Sequence, residues 1–379
     1  MGFFTALNGW RSYRKLDAGW RNIVFYSESG QDWHWFSGLI EELNATLGRR
    51  VTYVTSDPND PGLLRQHELY RAVCIPEGLF LTLHFNLQRA DVVVMTMMDL
   101  DKLQLKKSIN PVHYVYLFHS LGSTHMVDRA NSYDAYDTLF CAGPHHVAEL
   151  RKREEMAGLP ARNLFEYGHP RLEQLLALGQ RQPRSRHPVP TVLIAPTWGE
   201  HSIFNLCGEA LIGVLLEAGY QVIARPHYQT RRLTPKVIGR LLDRYRDHPG
   251  FELALDMAES ESLLRSDVLI SDWSAMAIEY ALGLERPVLY IDVPRRVRNP
   301  DWRALGIEPL EVAFRRQSGV VVSPCRLDEA PRRIAELMQD RDGFQQAMRS
   351  MRAGMVFNLG RSVTLGAREI ARLAGQHGH

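Results

Sequence analysis

The sequence predicts an α/β protein of two doubly wound, Rossmann-like domains, and three observations carry that expectation. Short apolar, β-branched runs alternate with helix-like stretches along most of the chain. The alternation comes as two series, separated by a segment rich in proline and arginine at 178–190. The length, 379 residues, is long for a single hydrophobic core.

In the first series the runs are NIVFYS (22–27), RVTYVTS (50–56), DVVVMT (91–96), HYVYLFH (113–119), DTLFCAG (137–143) and LFEYG (164–168). Helices are expected over 33–47 and 145–157. Strands this continuously apolar suit a parallel sheet covered on both faces. LGQRQPRSRHPVP (178–190) then reads as a linker. The second series is TVLIAP (191–196), QVIARP (221–226), FELAL (251–255), DVLIS (267–271), PVLYID (287–292) and GVVVS (319–323). Helices fit over 205–219 and 273–283. The tail, 329–376, reads as helical, with Val363, Leu365, Ile370 and Leu373 at roughly helical spacing. The expected domains are residues 1–182 and 183–379.

Composition narrows the function classes. Hydrophobic residues make up 45% and charged residues 23%, as in ordinary soluble domains. A net charge of +2 gives no global attraction to nucleic acid, so none is expected as a partner. Cys74, Cys141, Cys207 and Cys325 form no CxxC pair, which suggests neither a zinc site nor a redox motif. Scattered cysteines fit a reducing compartment. No apolar run approaches the roughly 20 residues of a spanning helix. The first residues lack the basic-then-apolar order of a signal peptide. The expected location is cytoplasmic. Residues 1–21 mix Phe3, Phe4, Trp10 and Trp20 with Arg11, Arg14, Lys15 and Arg21. Such a segment either holds the chain peripherally at the inner face of the cell membrane or packs as a terminal helix on its own domain.

In doubly wound sheets ligands bind beyond the carboxyl ends of the strands. Four strand ends carry reactive residues. In DVLISDWSAMAIEY (267–280) a strand ends at Ser271 and Asp272, and a helix is expected to begin near Trp273 or Ser274. Ser and Asp favour helix caps. The small pair Ser274 and Ala275 lets a phosphate approach the helix start. Glu279 lies one turn on, placed to accept from ribose hydroxyls. Capping alone accounts for Ser271 to Ser274 but not for a Glu inside an apolar helix. In VIARPHYQTRR (222–232) the strand ends in Arg225, Pro226 and His227, a guanidinium and an imidazole suited to phosphate, with His227 also a candidate catalytic residue. In LIAPTWGEHS (193–202) the Thr197 hydroxyl and a glycine-bearing loop are ligand candidates, or a simple loop. In YVYLFHSLGSTH (114–125) a strand delivers His119, a candidate general base, with Gly122 and Ser123 after it as candidate substrate contacts. No HExxH, Walker loop or GxGxxG pattern occurs, and no DxD site of a metal-dependent nucleotide-sugar enzyme is expected.

Taken in order, FHSLGS (118–123), IAPTW (194–198), RPH (225–227) and SDWSAMAIEYALGLERPVLYID (271–292) resemble the CDP-glycerol glycerophosphotransferase family, the teichoic-acid primases and polymerases. The resemblance implies a GT-B fold, two Rossmann-like domains facing a central cleft. It implies that His227 and Arg225 contact the donor diphosphate, and that Ser274 and the helix amides bind phosphate too. It implies that Glu279 holds the cytidine ribose and that His119 is the general base. Neither metal nor cofactor is implied. The implied reaction is attack of an acceptor hydroxyl, on a surface glycan or lipid-linked molecule, on the β-phosphorus of CDP-glycerol. The chain departs from the family pattern where His119-Ser120-Leu121-Gly122 replaces a His-Gly pair, where Ala275 replaces a serine, and where STHMVD replaces basic residues. These departures bear on the acceptor more than on the nucleotide. A GT-B glycosyltransferase using a nucleotide sugar, a nucleotide-sugar 2-epimerase and an inactive GT-B scaffold are the competing expectations.

Overall fold

A computed structural model describes residues 2–102, 105–181, 189–255 and 260–375. The first sheet is built from β1 (Ile23–Ser27), β2 (Val51–Thr55), β3 (Tyr70–Cys74), β4 (Val92–Met95), β5 (His113–Leu117), β6 (Thr138–Cys141) and β7 (Asn163–Glu166), in the order β3-β2-β1-β4-β5-β6-β7. The second holds β8 (Thr191–Ile194), β9 (Gln221–Ala224), β10 (Phe251–Leu253), β11 (Val268–Ser271), β12 (Val288–Ile291) and β13 (Gly319–Val322), in the order β10-β9-β8-β11-β12-β13. The pairings are parallel, as β1 with β2 and β4 and β11 with β8 and β12 illustrate. Each sheet reverses its strand order at its first strand, the doubly wound pattern. Both units are thus Rossmann-like.

The sequence explains the layering. β1, β2 and β4 are buried along their whole length. Successive side chains point to opposite faces, so Val24, Tyr26, Val93, Met95, Tyr114 and Tyr116 build one core layer. Ile23, Phe25, Val92, Val94, Val115 and Leu117 build the other. Crossover helices then cover both faces. The helix Pro144–Ala157 shows the local logic: Pro144 sits at its first turn and Gly158, left-handed at φ +61°, ends it.

The chain divides into two compact units, one of residues 1–120, 129–170 and 356–379, the other of residues 121–128 and 171–355. The boundary expected at 182/183 differs from this division in three places. Leu172 and Leu175 of the helix Pro170–Arg181 lie against Gly283 of the second unit. The segment after His119 joins the second unit. The helix Ser362–Gly375 returns Ala367, Ile370 and Leu373 to the first core. Apolar spacing predicts such helices but not which sheet they cover. Residues 182–188 of the expected linker lie outside the described residues. Where the returning chain meets the first unit, Gly168 has φ +105° and its backbone lies against Phe357 O and Ser362 Oγ. Any Cβ there meets both steric limits at once.

The strand β3 went unread because its run, YRAVC, carries an arginine and is half exposed beyond Tyr70. It pairs only with β2 at the sheet edge. The helix expected over 33–47 is α-helical at Trp33–Glu41 and widens into a π turn at Glu42–Thr46. The helix expected from Trp273 or Ser274 starts at Met276. Among the described residues no helix is long and apolar enough to cross a membrane.

Candidate functional site

In the first unit the reactive groups gather where β1, β4 and β5, three adjacent strands, end. His119 follows β5, half-buried, its ring 6.0 Å from Trp35 and 6.5 Å from Tyr116. Asp32 follows β1. Its Oδ2 accepts the Glu28 amide at 3.0 Å and the Ser29 amide at 3.5 Å. Burial raises the Asp32 carboxyl, while the nearby His119 and the hydroxyl of Thr96, just past β4, pull it back down. Carboxylate and imidazole are therefore electrostatically coupled. Asp32 was absent from the sequence reading, since nothing local marks it as the neighbour of a histidine 87 positions on.

Gly122 and Ser123 belong to the other unit. Both are buried. Ser123 N–H donates to Glu311 Oε1 at 2.9 Å, and Ser123 Oγ accepts from Leu310 N at 2.6 Å. Ser123, read as a substrate contact, thus caps the helix Leu310–Ser318. His125 Nε2 donates to Ile307 O at 3.1 Å and its carbonyl accepts from Asn299 Nδ2 at 2.9 Å. It ties the same segment down.

In the second unit the ends of β8, β9 and β11 come together at the point where the strand order reverses. Asp272 is buried, and its carboxylate accepts Thr197 N at 2.7 Å, Thr197 Oγ1 at 3.4 Å and Ile203 N at 3.4 Å. Burial raises its pKa; those amides and Arg315 oppose the rise. Ser271 Oγ donates to Ala195 O at 2.8 Å. Ser271 and Asp272 therefore fasten β11 to the loop after β8, and this clamp presents Thr197 and Trp198. Ser274 Oγ accepts the Met276 amide at 3.3 Å, and Ala275 stands at the cap position. The amides of Ala277, Ile278 and Glu279 also donate within the chain. The helix start thus offers an anion its dipole more than open amides. Glu279 is buried inside that helix and accepts Arg171 Nε at 2.9 Å.

Arg225, 1% exposed, ends β9. His227 caps the helix Tyr228–Leu233, its Nδ1 accepting Gln229 N at 3.1 Å. The proton consequently sits on Nε2. Burial, with Arg296 nearby, lowers the His227 pKa to about 4. A neutral Nε2–H donor is the result. We expect the His227 Cε1–H resonance to stay unchanged from pH 8 down to about pH 5 in an NMR titration; an inflection near 6.5 would contradict this placement.

Two further residues complete this site. Trp198 stacks on His227 with ring centroids 6.2 Å apart, and Arg296, in the loop after β12, lies over the Trp198 ring with its Cζ 3.8 Å from the ring centre. Trp198 was visible in the IAPTW motif and went unused. Arg296 had a signal in the run RRVR (295–298), which a loop reading overlooks. Against expectation a DxD pattern is present, as Asp99-Leu100-Asp101. Ser132 Oγ and Arg129 bind the Asp99 carboxylate, and Lys107 N donates to Asp101. Among the described residues no group of three His, Cys, Asp or Glu is placed to hold a metal.

The family model described as CDP-Glycerol:Poly(glycerophosphate) glycerophosphotransferase matches residues 86–293, more than half of the chain. A search of curated proteins found no match. Among solved structures, the wall teichoic acid polymerase TagF soaked with CDPG is similar at 16% identity and TM-score 0.61, covering 100% of this chain and 99% of that one. A UDP-GlcNAc 2-epimerase from Neisseria meningitidis bound to UDP-GlcNAc is similar at 12% identity and TM-score 0.61, covering 92% and 99%. MurG from Acinetobacter baumannii is similar at 9% identity and TM-score 0.50, covering 92% and 99%. Three differently named proteins share this GT-B fold, so the fold does not choose among activities; the family match does.

Proposed function

The chain belongs to the CDP-glycerol:poly(glycerophosphate) glycerophosphotransferase family, and on that premise we propose that it moves glycerol phosphate, or a related polyol phosphate, from a CDP-linked donor to a hydroxyl of a cell-surface glycan or lipid-linked acceptor. The observation that carries the donor assignment is the stack of His227, Trp198 and Arg296 beside Arg225 at the strand-order reversal of the second unit. Two guanidiniums, a neutral Nε2–H and a helix dipole supply charge and donors for a diphosphate.

In the proposed transfer an acceptor oxygen bonds to the β-phosphorus while the bond from that phosphorus to the bridging oxygen breaks. CMP leaves, and the acceptor proton passes to His119. Asp32 orients the imidazole and offsets the charge it gains. Arg225, Arg296, His227 and the dipole at Met276 stabilise the charge growing on CMP. Glu279, oriented by Arg171, accepts from the ribose hydroxyls. Thr197 and Ser274 line the phosphate side, and the Asp272, Ser271 and Ser123 contacts hold the loops. His227 thus donates a hydrogen bond to phosphate, and the single general base is His119. The helix Gly2–Lys15 makes peripheral contact with the inner face of the cell membrane, Phe3 and Phe4 standing out from it.

Ligand binding to the native state raises its melting temperature. A thermal-shift panel of CDP-glycerol, CDP-ribitol, CMP-sugars and UDP-sugars is expected to respond to the CDP-polyols. A response confined to UDP-sugars would overturn this reading in favour of a sugar transferase or epimerase.

A further inference from the structure

Far along the first unit from His119 in sequence, the helices Gly2–Lys15 and Leu79–Leu87 and the turn at Ile109–Asn110 line a cavity of about 240 Å³. Its wall is polar where a wall should be dry. Tyr13 is 3% exposed, His84 2% and Gln88 3%. Among the described residues the Tyr13 hydroxyl, His84 Nδ1, Gln88 Oε1 and Arg21 Nε are buried without a hydrogen-bond partner. Native interiors rarely leave such groups unmet, because each costs about 1–3 kcal/mol. Four such groups, on residues that line one cavity, describe the complement of a ligand.

The ligand's chemistry can be read from these groups. Burial lifts the Tyr13 phenol well above its ordinary pKa, so it remains a proton donor. Burial lowers His84 to about 3, so it stays neutral. Arg14 and Arg89 add guanidiniums at the exposed rim, and among the described residues no carboxylate lines the cavity. The site therefore asks for an anion with acceptor oxygens, a phosphate. Gln88 Nε2 already donates to Tyr114 Oη at 3.3 Å. Its Oε1 asks for a donor, a hydroxyl on the same ligand.

The mouth indicates what the phosphate is attached to. Ile109, 81% exposed, and Leu87 line the opening. Phe4, 73% exposed, and Phe3 project from the same helix that carries Tyr13. Aromatic and aliphatic side chains held in water beside arginines suit a lipid surface. We propose that this cavity binds the phosphate headgroup of an anionic, hydroxyl-bearing phospholipid, seating the first unit on the membrane. The proposal deepens, and rests on, the membrane contact assigned above to residues 1–21.

The test is sedimentation of the full chain with phosphatidylcholine vesicles, with and without phosphatidylglycerol. Binding is expected only with phosphatidylglycerol. Tyr13→Phe, which leaves the charge unchanged, is expected to weaken it roughly tenfold, the effect of one hydrogen bond to a charged group. Arg21→Gln should weaken it at least about fivefold. Tyr13→Phe should melt no lower than the parent, since it removes an unmet buried hydroxyl. It should also keep full transfer to a soluble acceptor, which separates this claim from the catalytic one. Vesicle binding unaffected by Tyr13→Phe would overturn the cavity and leave membrane contact standing. No vesicle binding by the parent would overturn both. A Tyr13-dependent melting shift with soluble glycerol phosphate, without vesicle binding, would reassign the cavity to a free phosphate and overturn the lipid claim.

Discussion

His119→Ala is expected to lower kcat by about 10²–10⁴-fold, the range for loss of a positioned general base, with CDP-glycerol affinity unchanged. The split follows from where the groups sit. His119 ends β5 of the first unit, while Arg225, His227, Trp198 and Arg296 belong to the second. A base acts in the transition state and adds nothing to donor binding, so kcat and kcat/KM fall together. Asp32→Asn keeps the shape of the side chain and removes its charge. Its kcat is expected to fall by a smaller factor, roughly tenfold to a hundredfold, with a displaced pH profile, because Asp32 acts through the imidazole. Calorimetric titration of CDP-glycerol alongside steady-state kinetics reads both. A His119→Ala protein with full kcat, or one that has lost donor binding, would remove His119 from the role of base.

Arg171→Ala is expected to destabilise the protein by about 3–5 kcal/mol, because it removes the guanidinium paired with the buried Glu279 carboxylate. The two side chains are 11% and 6% exposed and 2.9 Å apart. Removing both partners is a different matter. Arg171→Met with Glu279→Leu fills the space with apolar groups and is expected to cost far less, since an apolar pair often replaces a buried ion pair at little net loss. The pair also separates structure from binding. If Glu279 accepts from the ribose, the double variant folds yet binds CDP-glycerol about tenfold to a hundredfold more weakly, the effect of hydrogen bonds to a charged group. Denaturant melts and donor titrations on the three proteins decide it. A double variant that binds CDP-glycerol normally would leave Glu279 a purely structural carboxylate.

Much of the fold is written locally. Runs such as VVVM and IVFYS are apolar on both faces, and only a sheet covered on both sides buries them. The strand ends bearing His119, Thr197, Arg225 and Asp272 could be found the same way, since each follows such a run directly. What stayed hidden depends on chain folding across long separations. Asp32 meets His119, Arg296 meets Trp198, and Arg171 meets Glu279 108 positions away. Polarity at a strand end was also ambiguous by itself. Ser271, Asp272 and Ser123 look like ligand contacts in sequence, but their oxygens go to backbone amides and carbonyls of the protein. The helix Ser362–Gly375 was readable as a helix, but its return to the first sheet was not, because an apolar stripe does not name the surface it will cover.

The most direct test of the central claim follows both halves of the donor in one reaction. CDP-glycerol labelled at the β-phosphorus is incubated with the protein and a hydroxyl-bearing, lipid-linked glycerol phosphate acceptor, and nucleotide and acceptor are resolved. The account predicts CMP in step with label gained by the acceptor, with both lost in His119→Ala. Inertness toward CDP-glycerol, together with turnover of a UDP-sugar, would contradict it.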